Sequence, residues 1–128
     1  MDLGLKGRAA VVAASSRGIG RASALGFARE GADVAICARG KESLRETEAS
    51  LVELGVRVHA SVADLTQADD CRRFVIGAAE AFGRLDVLVT NSGGPPSGAF
   101  DVFGENDYRS AVELNLITTV RMVLAAVP

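Results

Sequence analysis

The chain has 128 residues, 48% of them hydrophobic and 23% charged, with a formal net charge of −2 and a pI near 5.4. That length accommodates one domain with its own core rather than two, and that balance excludes a disordered chain. The small net charge, with no run of Lys or Arg, offers no footprint for nucleic acid or anionic lipid, and no stretch approaches the roughly 20 apolar residues that cross a bilayer.

Four short apolar runs rich in β-branched residues alternate with stretches of helical period, which predicts βαβ units and a parallel sheet. The run Ala9-Ala10-Val11-Val12-Ala13-Ala14 is almost continuously apolar, as a strand buried on both faces must be. It breaks at Ser15-Ser16-Arg17-Gly18. A helix is expected from about Ile19 to Glu30, with Ile19, Ala22 and Gly26 available for one face, Arg21 and Arg29 in solvent, and Gly31 as its stop. Val34-Ala35-Ile36-Cys37 is the second strand, and Glu42 to Leu54 a helix ending at Gly55. Val56-Arg57-Val58-His59-Ala60 alternates like a third strand. Thr66 precedes a helix from about Ala68 to Phe82, closed by Gly83. The fourth strand, Val87-Leu88-Val89, runs into the small-residue loop Asn91-Ser92-Gly93-Gly94-Pro95-Pro96-Ser97-Gly98, which has backbone to offer a ligand. A last helix begins near Asn106 or Asp107 and carries Tyr108, Ala111, Val112, Leu116, Val120, Val123 and Leu124, making it the most apolar helix of the chain.

The N-terminus, Met1-Asp2-Leu3-Gly4-Leu5-Lys6, has no secretory apolar region, which points to a cytoplasmic protein. Cys37 and Cys71 lack CxxC spacing and read as small buried hydrophobes in a reducing compartment. No His, Cys or carboxylate cluster has metal spacing, so no metal site is expected.

The strand-to-helix turn at Gly18-Ile19-Gly20 would set several backbone N–H groups at a helix N-terminus, where they can bind a pyrophosphate. Ser23 stands where a strict GxGxxG has its third glycine, so the turn by itself also fits an ordinary strand-to-helix connection. Further features follow in order: Asp64-Leu65 beyond the third strand, Thr90-Asn91-Ser92-Gly93 after the fourth, and Asn115 within the last helix.

Over essentially its whole length the chain thereby resembles the short-chain dehydrogenase/reductase family, and in the wording of its glycine turn and Thr90-to-Pro96 loop it is similar to 3-oxoacyl-acyl-carrier-protein reductase-like members. The family's first motif, Thr-Gly-x-x-x-Gly-x-Gly, falls on Ala13 to Gly20, with Ala14 replacing its first glycine. If that turn needs a positive φ, alanine costs on the order of 1 kcal/mol and the loop is expected to adjust slightly. The resemblance implies an α/β, Rossmann-like doubly wound parallel sheet whose first four strands run in the order 3-2-1-4, with helices on both faces. Residues 1–128 would form its dinucleotide-binding portion. It implies cofactor contacts from Ala14, Ser15, Ser16, Arg17, Gly18, Ile19, Gly20, Arg39, Asp64, Leu65, Asn91 and Gly93. Asp64 would meet the adenine amino group, the Asn91 loop would buttress the sheet, and Asn115 would serve catalysis by helping to hold a relay water.

The residues themselves address which nicotinamide. An acid at the end of the second strand would take the ribose diol, whereas here Ala38 is followed by Arg39, with Lys41 close by and Arg17 able to reach the same region. Guanidinium groups pair well with phosphate, so NADP(H) is the expected cofactor. The acidic ribose partner that methyltransferases generally use is missing at that strand end.

The family moves a hydride between nicotinamide and a carbonyl or alcohol carbon, using a Ser and a Tyr-x-x-x-Lys pair. Neither is present: Tyr108, the sole tyrosine, is followed four positions later by Val112 and reads as a packing residue. The expectation is a truncated or split oxidoreductase, inactive as 128 residues, with a carbonyl substrate only where the remaining half is supplied. A homo-oligomer is also expected. The competing reading is a non-catalytic nucleotide-binding module whose apolar last helix docks on a partner.

Overall fold

The computed structural model describes residues 1–128. Four parallel strands, β1 (Ala9–Val12), β2 (Asp33–Ala38), β3 (Val58–Val62) and β4 (Val87–Val89), pair in the order β3-β2-β1-β4. This is the expected Rossmann-like order. The intervening helices are α1 (Gly18–Arg29), α2 (Lys41–Val52) and α3 (Ala68–Phe82). After β4, a 3-10 turn at Phe100–Val102 leads to α4 (Glu105–Val112), a π turn (Glu113–Ile117) and α5 (Thr118–Ala126).

The continuous apolar run of β1 is explained by its two covered faces, because successive side chains of a strand point to opposite sides. Ala9, Val11 and Ala13 join Phe74, Val75 and Ala78 of α3 and Met122 of α5 in one cluster. Val12 joins Val34 and Ile36 of β2, Ala24 and Ala28 of α1, and Leu44 and Leu51 of α2 in the other. Helices therefore cover both faces, α1 and α2 on one and α3 and α5 on the other. None of them is long and apolar enough to cross a membrane.

Several boundaries and one face differ from expectation. The packed stripe of α1 is Gly20, Ala24 and Ala28, whereas Ile19 is 80% exposed and Ala22 is also exposed. Residues four apart share a helix face, and these small ones let the helix lie close to the sheet; a choice led by the size of Ile19 selects the wrong side. β3 begins at Val58 rather than Val56 because its register is set by β2, with Val34 opposite Val58 and Ala38 opposite Val62. Just before the ladder, Arg57 donates its backbone N–H and its Nε to the two carboxylate oxygens of Asp33, each at 2.9 Å. β1 stops at Val12 because Ala13 and Ala14 already enter the turn, and α2 stops at Val52 rather than Leu54. The last helix starts at Glu105, one turn after Phe100–Val102, with the Asp107 carboxylate accepting the Gly104 N–H at 2.9 Å. It is interrupted where the sequence pattern suggested one continuous helix. At the end of α3, by contrast, Gly83 takes the left-handed conformation expected of a helix stop, with φ +72°.

Away from the glycine turn, the starts of β1 and β4 are tied by one carboxylate. Asp86 accepts from Arg84 at 2.6 and 2.7 Å, from the Ala9 N–H at 2.8 Å and from Arg8 at 3.3 Å. The Arg84 hydrogen bonds, then the Ala9 N–H, hold its carboxyl well below the usual carboxylate range. A carboxyl depressed in the folded state contributes stability that is present above the unfolded value, about 3.9, and is lost as pH falls toward the folded one. Urea midpoints measured from pH 6 down to pH 2 should therefore fall in the wild type and fall less steeply in Asp86→Asn; parallel curves would remove Asp86 from the acid response.

Candidate functional site

The turn between β1 and α1 is built by hydrogen bonds that use up some polar groups and leave others open. Ser15 is fully buried: its Oγ donates to the Val12 carbonyl at 2.7 Å and accepts the Cys37 N–H at 3.2 Å, while its own N–H donates to the Cys37 carbonyl at 3.0 Å. Ser15 thus stitches the turn to β2 and does not face the cleft. Ala14 takes φ +48°, the conformation that the family's glycine would adopt freely. Alanine accepts that left-handed backbone at a cost of about 1–2 kcal/mol. Arg17 is the N-cap of α1, no side chain caps that helix, and no acidic residue stands in its first turn. The N–H groups of that end, with the positive pole of the helix behind them, form a site for an anion.

Asn91 closes the turn from the other side, its Nδ2 donating to the Ala14 carbonyl at 3.0 Å. Gly20 makes that contact sterically possible. A Cβ there would overlap the Ala14 oxygen and stand 2.8 Å from Asn91 Nδ2. Gly20 is buried beneath the turn, whereas Gly18, with φ +58°, is exposed beside the cleft.

At the end of β2, Ala38 is buried and Arg39 exposed; neither Arg39 nor Arg17 makes an ion pair within the chain. Across from them, Asp64 Oδ1 accepts from Thr66 Oγ1 at 2.7 Å and from the Thr66 N–H at 3.0 Å. These bonds, with the Arg39 charge as a smaller contribution, hold the Asp64 carboxyl below its ordinary value. Leu65 is buried, and its carbonyl accepts from Cys71 Sγ at 3.2 Å and from the buried Thr118 Oγ1 at 3.0 Å. The loop after β3 is in this way tied to the last helix. Burial pushes the Cys37 thiol up to about 12 and raises that of Cys71, so both stay protonated and neither is a nucleophile.

The π turn carries Asn115. Its Nδ2 donates to the Ala111 carbonyl at 2.9 Å, and its Oδ1 accepts from Ser92 Oγ at 3.1 Å. The side chain thus satisfies a carbonyl where the helical ladder is interrupted, and a hydroxyl from the loop after β4 holds it in place. Ser92 carries a link that sequence comparison did not single out; only its place beside Asn91 pointed to it.

These elements surround one cleft of about 1040 Å³ at the C-terminal ends of the strands, the position where open parallel sheets bind ligands. Of the expected residues, Ala14, Ser16, Arg17, Gly18, Ile19, Arg39, Asp64, Leu65, Asn91 and Gly93 line it. Ser15 and Gly20 lie beneath it, and Asn115 reaches it through Ser92, itself in the lining. Its lining also includes Gly94 of the small-residue loop, and Cys37, Ala63, Thr66 and Leu114, which no motif marked.

The chain belongs to the short chain dehydrogenase family, whose model matches residues 8–128. Among curated relatives, an L-rhamnose 1-dehydrogenase (NAD(P)(+)) from a Sphingomonas species is 37% identical over 123 residues, covering 95% of this chain and 48% of the relative. Among solved structures, a short chain dehydrogenase from Burkholderia cenocepacia in complex with NADP is 36% identical with a TM-score of 0.90, covering 95% of this chain and 50% of that one. L-sorbose reductase from Gluconobacter frateurii, complexed with NADPH and L-sorbose, is 34% identical with a TM-score of 0.93, covering 100% of this chain and 49% of that one. The chain spans about half the length of the curated relatives it matches.

Gly20→Ala tests the close approach at the turn. It should lower stability by about 3 kcal/mol in chemical denaturation, whereas Gly18→Ala, with open space around its Cβ, should cost only the about 1 kcal/mol of a left-handed alanine.

Proposed function

We propose that the chain forms the NADP(H)-binding part of an oxidoreductase that moves a hydride between nicotinamide and a carbonyl or alcohol carbon. The observation that carries this reading is the pair of guanidinium groups, Arg17 and Arg39, which have no carboxylate partner at the end of β2 and stand beside an uncapped helix N-terminus. The donor set fits a phosphorylated dinucleotide: backbone N–H groups for the pyrophosphate, two forked cations for a 2′-phosphate, and a volume of about 1040 Å³. The complexes of the Burkholderia relative with NADP and the Gluconobacter relative with NADPH support the same choice.

Bound there, the cofactor supplies the hydride. Arg17 and Arg39 bind the 2′-phosphate, and the N-terminus of α1 binds the pyrophosphate. Asp64, ionised and with one oxygen held by Thr66, offers its other oxygen to the adenine amino group. Asn91 keeps the turn closed, and Asn115, anchored by Ser92 and Ala111, orients the relay end of the cleft. The one phenol of the chain is engaged outside the cleft lining: Tyr108 donates to the Phe100 carbonyl at 2.7 Å. The 128-residue chain should accordingly bind cofactor without reducing a carbonyl, the substrate class being a small carbonyl compound, of 3-oxoacyl type if the wording of the glycine turn and of the Thr90-to-Pro96 loop is the guide.

The apolar residues that the last helix leaves exposed, Leu116, Val120, Val123 and Leu124, favour a homo-oligomer. They also favour the second reading, a nucleotide-binding module that docks on another protein. Oxidation of NADPH by the purified chain in the presence of 3-oxoacyl substrates would count against that second reading and against inactivity alike.

The cofactor assignment predicts that Arg39→Ala weakens NADPH by roughly tenfold, as loss of a charge-assisted phosphate contact should. Combined with Ala38→Asp, it should reverse the preference toward NADH. Fluorescence titrations with both nucleotides measure this, and an unchanged ratio of affinities would sink the assignment.

A further inference from the structure

Thr47 lies on α2, away from every motif of the cleft, yet it is fully buried and its hydroxyl reaches the glycine turn. Its Oγ1 stands 3.2 Å from the Ser16 carbonyl and 3.1 Å from the Ser43 carbonyl. The second contact is the local back-bond that a helical threonine makes to the residue four before it. The first crosses 31 positions in sequence to a residue of the anion site.

We infer that Thr47 is a positioning residue for recognition of the 2′-phosphate: by holding the Ser16 carbonyl inward, its hydroxyl fixes the peptide from which the Arg17 side chain leaves for the cleft. The argument is geometric. The Ser16 carbonyl and the Arg17 N–H belong to one peptide plane, and no peptide bond in the chain is cis. In a planar trans peptide the two groups point in opposite directions, so fixing one fixes the other. The carbonyls of an anion-binding turn must also face away from the anion, since an oxygen turned toward phosphate would repel it. With Thr47 engaged, the Ser16 oxygen has a partner on the protein side. Without that hydroxyl, the peptide can rotate, and the base of the Arg17 side chain loses its aim. The hydroxyl has one proton for two carbonyls; the Ser43 carbonyl lies inside α2, where the backbone N–H four residues on serves it, whereas the Ser16 carbonyl has its donor in Thr47.

This rests on the NADP(H) reading and is tested together with it. Thr47→Val keeps the β-branched shape and removes only the O–H. Thr47→Ser keeps the O–H. Fluorescence titrations of the purified protein with NADPH and NADH should show Thr47→Val weakening NADPH about five- to tenfold, with NADH changed less than twofold and Thr47→Ser close to the wild type for both. If valine prevents folding, Thr47→Ala takes its place with the same expectation. Equal losses for the two nucleotides, no loss for either, or a serine variant as weak as valine would overturn the role of Thr47 while leaving the cofactor reading intact. A wild type that binds neither nucleotide would overturn the cofactor reading and this inference with it.

Discussion

The site depends on a contact that admits no side chain. Three segments far apart in sequence, the end of β1, the start of α1 and the loop after β4, meet where the Ala14 carbonyl accepts from Asn91 directly over Gly20. Because Gly20 has no Cβ, the helix can begin close beneath the turn, and because the helix begins there, its uncapped N–H groups face the cleft. The same contact fixes where the β4 loop lies, and through Ser92 it fixes Asn115 as well.

The surrounding hydrogen bonds divide the turn into an inner and an outer half. Ser15 spends its hydroxyl and its N–H on β1 and β2, which explains how Ala14 can be held at φ +48°: neighbours on both sides determine the backbone, so the local strain persists. Arg17 and Gly18, by contrast, present themselves outward. A turn that is rigid underneath and open on top can bind an anion without being reordered by it, which lowers the entropic cost of binding.

What was legible in the sequence follows this division. The parallel order of strands and the covering of both faces could be read because a doubly buried strand such as Ala9–Val12 must be apolar throughout. That the residues a motif marks, from Ala14 to Asn91, gather around one cleft could be read because each follows the C-terminal end of a strand in a parallel sheet. Contacts that depend on tertiary placement left no such trace. Thr47 looks like any helical threonine, Ser92 like a loop serine, and the role of Ser15 depends on the proximity of β2. The packed face of α1 was misread because small residues, not the large Ile19, set how near the helix can come. The break at Asn115 was invisible because apolar spacing across Val112, Leu116 and Val120 imitates an uninterrupted helix.

That break has a mechanical meaning. Each residue of an α-helix turns the chain by about 100°, so the extra residue of the π turn offsets the two parts of the last helix in phase. Beyond the offset Thr118 and Met122 point into the core, while Val112 before it and Leu116 within it remain outside. The helix is better regarded as two keys cut at different angles on one shaft, with Asn115 at the joint. Deleting a single residue there would realign the keys, carrying Thr118 away from Leu65 and uncoupling the loop after β3 from the Asn115 end of the cleft.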